Sequence, residues 1–154
     1  MSTEQIWEIN STSLQDTLAV GETIGRRLRG GEVIELVSDL GGGKTSFAKG
    51  LAKGMGSKDV VHSPSFTLSN QYQSAKLTMH HYDFYRLDDP GILRNELAET
   101  IQDPQAVVVV EWPNIANAVI PADHITLNIK ATGENSRLLT FKYPAKLAYL
   151  FPNT

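Results

Sequence analysis

Apolar and polar positions change rhythm several times along the chain, and each rhythm predicts an element. "QIWEI" (5–9) alternates, as a half-buried strand does. Ser13 followed three residues later by Asp16 reads as a capping-box start. Behind it Leu14, Leu18, Gly21, Ile24 and Leu28 share one helical face, and "RGGE" (29–32) stops the helix. "VIELV" (33–37) is a strand, and a glycine-rich stretch follows it. Phe47, Ala48, Leu51, Ala52 and Met55 then mark a second helix, ended by Gly54 and Gly56. "SFTLSNQYQ" (65–73) and "KLTMHHYDFY" (76–85) are β-rich and predict a hairpin turning at Ser74–Ala75. "PGILRNELAETI" (90–101) has the spacing of a short amphipathic helix.

"AVVVV" (106–110) is apolar at every position, as a central strand covered on both faces must be. "DHITLNIK" (123–130) and "SRLLTFKY" (136–143) alternate around "ATGEN", which predicts a second hairpin on the edge of the sheet. Strand–loop–helix units mixed with antiparallel pairs imply a three-layer α/β fold. Its sheet would be mixed, with antiparallel edge hairpins, and the glycine-rich stretch between a strand and a helix start would make it P-loop NTPase-like. With 154 residues and neither repeat nor linker, residues 1–154 are expected to form a single domain.

Composition narrows the chemistry. The net charge of −3 gives no global pull toward nucleic acid or anionic lipid, so this chain is not expected to be the main RNA-binding surface. The absence of cysteine excludes thiol catalysis, disulfides and thiolate metal sites. "MSTEQIWEIN" lacks the basic and apolar regions of a signal peptide, and no window is apolar enough to cross a membrane. A cytoplasmic protein is the expectation.

The chemistry concentrates in "SDLGGGKT" (38–45), placed between a strand and a helix start. It matches the phosphate-loop pattern G-x-x-x-x-G-K-[ST] at Gly43, Lys44 and Thr45, with Ser38 in place of the first glycine. The amides of Gly41, Gly42, Gly43, Lys44 and Thr45 can curl around a β-phosphate, because the glycines put no Cβ in the way. Asp39, Leu40 and Ser46 complete the stretch expected to line the nucleotide. Lys44 would reach the β- and γ-phosphates, and the Thr45 hydroxyl would bind Mg²⁺. Such a site also needs a carboxylate from a neighbouring strand end. Glu111, directly after the all-apolar strand, is one candidate; a simple solvent contact is the other reading. Asp83, in "HHYDFYRL", would share a strand face with His81 and Tyr85. It would either hold the attacking or a metal-bound water, or make a structural bond to a loop.

Taken together, "SDLGGGKT", "HSPSFTLSNQY" (62–72), "HYDFYRL" (81–87), "VEWPN" (110–114) and "IPADHITLNI" (120–129) followed by Arg137 resemble the bacterial TsaE (YjeE) family of small ATPases. The family serves in making threonylcarbamoyladenosine beside the anticodon of tRNAs. The resemblance implies that Lys44 and the loop amides hold ATP, that Thr45 and Glu111 hold Mg²⁺, and that Asp83 acts near the γ-phosphate. By the same resemblance Thr17 lies near the adenine, and Ser63, Pro64 and Thr67 match a switch-like segment. It further implies that the chain works with a TsaD–TsaB protein pair and meets tRNA only through that complex. Because the phosphate site has no obvious arginine finger within the chain, weak ATP hydrolysis by the chain alone is the expectation. Ser38 and Asn114 depart from the family pattern, the latter where an acidic residue is common.

Other residues read more plainly. His80 and His81 are adjacent on a strand, point to opposite faces and so cannot share a metal; packing is the expected role of both. Trp112 would pack beside the nucleotide, a partner or the core. Arg86 and Arg137 would each contact phosphate or a partner, with Arg137 counted among the candidate nucleotide contacts, or pair with a surface acid. "RRLR" (26–29) suits a helix end without any ligand. Two other functions use the same loop. A small-molecule kinase would need a lid of several arginines, for which only Arg94 offers support, whereas a nucleotide-gated binding module would use hydrolysis as a timer.

Overall fold

The computed structural model describes residues 4–38, 43–59, 69–83, 91–111 and 120–152. Helix α1 (Leu14–Gly25) begins at the predicted cap: Asp16 N donates to Ser13 Oγ at 3.1 Å. The return bond closes one residue earlier than a standard box, with Thr12 N and Thr12 Oγ1 donating to Asp16 Oδ2 at 3.0 and 2.7 Å.

The buried face of α1 differs from the one expected. It runs through Thr17, Val20, Gly21, Ile24 and Gly25, while Leu14 is 51% exposed and Leu18 is half-buried. The reason is how α1 meets helix α2 (Lys44–Met55). A Cβ added to Gly21 would stand 2.4 Å from Phe47 O, and one on Gly25 would stand 2.4 Å from Leu51 O. The backbones touch at the glycines, so the neighbours of the glycines are covered and Leu14 is left outside. Two helix ends also differ. Helix α1 stops at Gly25 rather than at Gly30–Gly31, which instead turn the chain into the next strand with φ of +105° and +88°. Gly54 stays within α2 against Glu22 O, and only Gly56, left-handed at φ +93°, caps that helix.

Among the described residues seven strands lie in one sheet. At its centre β2 (Val33–Ser38) runs parallel to β5 (Ala106–Glu111) on one side and to β6 (Ile125–Ala131) on the other. Beyond β5 lies parallel β4 (Thr78–Asp83), then antiparallel β3 (Ser69–Gln73), joined to β4 by the predicted turn with Ser74 N on Leu77 O at 2.9 Å. Beyond β6 lies its hairpin partner β7 (Arg137–Pro144), and β1 (Glu4–Ser11) adds antiparallel to β7 as the outermost strand.

Three layers result. Val107 and Val109 join the core beneath α1 and α2, whereas Val108 and Val110 pack with Leu97 of helix α3 (Gly91–Ile101) on the opposite face. That division explains why β5 tolerates no polar residue before Glu111. No helix among the described residues is long and apolar enough to cross a membrane.

Candidate active site

Parallel strands place the C-terminal ends of β2, β4 and β5 along one rim, the location at which open α/β sheets bind ligands. Helix α2 starts on this rim. Its N-cap, Gly43, is left-handed at φ +101°, a conformation side chains avoid, although among the described residues a Cβ there would meet only Thr17 Cγ2, at 3.9 Å. No acidic residue occupies the first turn of α2, so the positive end of its dipole is left for another anion.

Lys44, the first residue of α2, is only 8% exposed, and its Nζ donates to Glu111 Oε1 at 3.1 Å. Glu111, the last residue of β5, is 4% exposed, and its other oxygen, Oε2, lies 2.6 Å from His81 Nε2. Burial pushes the Glu111 carboxyl up, but the His81 hydrogen bond, followed by the charges of His81 and Lys44, outweighs it and holds the group below the ordinary glutamate value. An ionised carboxylate only accepts hydrogen bonds, so His81 Nε2 carries the hydrogen. His81 Nδ1 has no hydrogen-bond partner among the described residues.

Asp83 sits beside Glu111 in the β4–β5 register and is 3% exposed. Register neighbours in a parallel pair face the same way, so both carboxylates rise on the α2 side of the sheet. Thr45, next after Lys44, and Ser46 are half-buried on the first turn of α2. Thr17 is buried on α1 beside Gly43, and its Oγ1 lies 2.7 Å from Ser11 Oγ. Arg137 begins β7 opposite Ser11, and its Nη1 donates to the carbonyls of Gly133, Glu134 and Ser136 at 3.2, 3.4 and 2.8 Å.

The structure thus brings Lys44, Asp83, Glu111 and the start of α2 together, with Thr17 alongside and Arg137 on the flank. Asp39, Leu40, Gly41 and Gly42 lie outside the described residues, as do Ser63–Thr67, Tyr85, Arg86 and Trp112–Asn114. Two residues were not anticipated. His81 was assigned to packing, yet it bonds Glu111; its place two residues before Asp83 on an alternating strand was the signal that could have found it. Ser11, buried against Thr17, carries no sequence signal beyond closing a strand.

Chemically, the rim offers a buried carboxylate balanced by a buried ammonium, a second carboxylate beside it, and a helix start free of acidic residues. Hydroxyl and carboxylate oxygens are the donors a hard divalent cation prefers. The ammonium already seated on Glu111 Oε1 marks that oxygen as a place for positive charge.

A profile of the family described as "Threonylcarbamoyl adenosine biosynthesis protein TsaE" matches residues 11–139. The tRNA threonylcarbamoyladenosine biosynthesis protein TsaE of Aquifex aeolicus is 38% identical over 136 residues, covering 87% of this chain and 94% of that one. The protein of the same description from Bacillus subtilis is 33% identical over 128 residues, 82% of this chain and 79% of its own length. In three dimensions the chain is similar to the crystal structure of Bacillus subtilis YdiB, with a TM-score of 0.74 and 27% identity over 95% of this chain and 89% of that chain.

Proposed function

The chain belongs to the TsaE family, and from that membership and the rim geometry we propose that it is the ATP-binding and ATP-hydrolysing subunit for threonylcarbamoyladenosine formation in tRNA. One observation carries the ATP assignment: Lys44, at the start of the phosphate-loop helix, is buried against a strand-end carboxylate, Glu111. A lysine held at that point needs only to swing from the carboxylate to reach phosphate oxygens cradled by the loop.

The loop amides, from Asp39 and Leu40 through Gly41, Gly42 and Gly43 to Ser46, hold the phosphates, with Lys44 bridging the β- and γ-groups. Thr17 and Arg137 contact the remainder of the nucleotide. Thr45 and Glu111 would hold Mg²⁺, whose chemistry is neutralisation of charge between the β- and γ-oxygens. Asp83, buried next to Glu111, orients the attacking water near the γ-phosphate. The whole chain acts as one ATPase domain in the cytoplasm, with a TsaD–TsaB-like pair as partner and tRNA reached only through that complex.

Phosphate release measured with and without the partner pair tests this reading. Weak release alone, faster release with the pair and loss of nucleotide binding in Lys44→Ala are the expected results. Full-speed turnover by the isolated chain would overturn the partner-dependent part. Phosphate appearing on a small-molecule acceptor would make the chain a kinase instead.

A further inference from the structure

Each oxygen of Glu111 has its own partner, Lys44 on Oε1 at 3.1 Å and His81 on Oε2 at 2.6 Å, and all three side chains are buried. Nucleotide binding affects those partners differently. Lys44 rides on a flexible four-carbon stem at the start of α2, so a phosphate in the loop draws its ammonium away from Oε1. His81 cannot follow. Its ring is fully buried on β4, and that strand is paired on both sides, with His81 opposite Asn70 of β3 and Val109 of β5. Once Lys44 departs, Oε2 remains tied and Oε1 faces the place the ammonium has left.

We propose that His81 is the positioning residue of this site: by donating Nε2–H to Oε2 it keeps Glu111 turned so that Oε1 serves the divalent cation of the bound nucleotide. The inference rests on the nucleotide-binding reading above. Carboxylates that ligate metals are themselves held by hydrogen bonds, because an untethered carboxylate must lose rotamer freedom when the cation arrives.

The test uses the full chain and a fluorescent ADP, titrated once with EDTA and once with Mg²⁺. The quantity read is the magnesium gain, the ratio of the two dissociation constants. His81→Leu is expected to lower that gain about tenfold, the lower end of what such supporting partners supply, while the EDTA affinity stays unchanged. His81→Gln, whose amide reaches the position of Nε2, is expected to retain the gain, and His81→Asn, too short to reach, to lose it. A merely structural histidine would not separate Gln from Asn in this ratio, whatever their thermal midpoints. Should His81→Leu fail to fold, the Gln–Asn comparison carries the test alone. A full magnesium gain in His81→Leu, or equal losses in Gln and Asn, overturns the proposal. Failure of the underlying reading looks different: the natural chain would then bind no ADP or show no magnesium gain, and the proposal falls with it.

Discussion

Replacing Glu111 by alanine takes from the buried Lys44 ammonium the carboxylate that accepts from it at 3.1 Å, and takes from His81 the acceptor at 2.6 Å. At an effective dielectric of about 20, two unit charges at that first separation attract by about 5 kcal/mol. Desolvation of both groups offsets much of this in the intact protein, but once one partner is gone the other keeps its own desolvation cost. Breaking a buried pair in this way typically costs about 3–5 kcal/mol. Against a domain stability of roughly 5–15 kcal/mol, the loss is large and easily measured by urea unfolding. Magnesium-free ADP should then separate this explanation from simple loss of packing. In the natural chain the phosphates must compete with Glu111 for Lys44; in Glu111→Ala they do not, and a nearby negative charge has also gone. If only about 1.4 kcal/mol of the pair is released to binding, magnesium-free ADP binds about tenfold more tightly to the variant. The magnesium gain should vanish at the same time, because the strand-end carboxylate proposed to hold the metal is missing. A stability loss below about 1 kcal/mol, the range of solvent-exposed pairs, would refute the buried-pair reasoning. So would weaker magnesium-free ADP binding in Glu111→Ala.

Three further outcomes follow from features away from the rim. Gly50→Ala should destabilise the fold by about 1–3 kcal/mol in urea, because the new Cβ would lie 2.1 Å from Leu18 O and 2.9 Å from Glu22 N, backbone atoms that cannot step aside. The helix preference of alanine, at about 1 kcal/mol, recovers only part of this, and a stabilised variant would contradict the close approach of the helices. Tyr149→Phe removes the donor 2.6 Å from Glu32 Oε2, a buried carboxylate otherwise held by the amides of Arg29 and Gly30, and should cost about 1.5–3 kcal/mol without altering ADP affinity. His124 is held above its ordinary value chiefly by its hydrogen bond to Glu35, with burial opposing. The folded state therefore favours its protonated form. The stabilisation is complete below the unfolded value of about 6.5 and is lost as pH rises through the raised folded value. The stability difference between the natural chain and His124→Gln should accordingly be full below about pH 6.5 and shrink as pH rises through the raised folded value, and a difference that grows instead would reverse the assignment.

How far the site was legible depended on whether its parts are neighbours in sequence. The strand, glycines, Lys44, Thr45 and helix are consecutive, so local pattern alone predicted the strand before the loop and the helix that starts at Lys44, the two flanks the structure describes. Glu111 is distant in sequence from Lys44, but it was still legible, because an all-apolar strand ending in a carboxylate is unusual whatever lies beside it. His81 was not. Alternation along β4 showed that His80 and His81 face opposite ways, which disposed of a shared metal but could not show which strand lies alongside. That Asp83 pairs with Glu111, and His81 with Val109, is set by register between β4 and β5, a tertiary fact. The place of β1 was hidden for the same reason: its partner β7 comes from the far end of the chain, and no local pattern reports that pairing.

The displaced face of α1 has a different cause, and it bears on function. Hydrophobic periodicity weighs large apolar side chains, so Leu14 and Leu18 drew the predicted face toward themselves while the glycines counted for little. In the structure the glycines decide. Gly21 and Gly25 admit the backbone of α2, and Gly50 and Gly54 admit that of α1, so neither helix can slide past the other without a clash. This lock holds the helix that begins at Lys44, and it seats Thr17 next to Gly43. The lysine therefore reaches Glu111 from a helix start held in place by that contact. A wider helix pair would still bury the leucines, but it would leave the start of α2 loose over the strand ends. The small residues that blurred the sequence pattern are thus the ones that set the distance between Lys44 and Glu111.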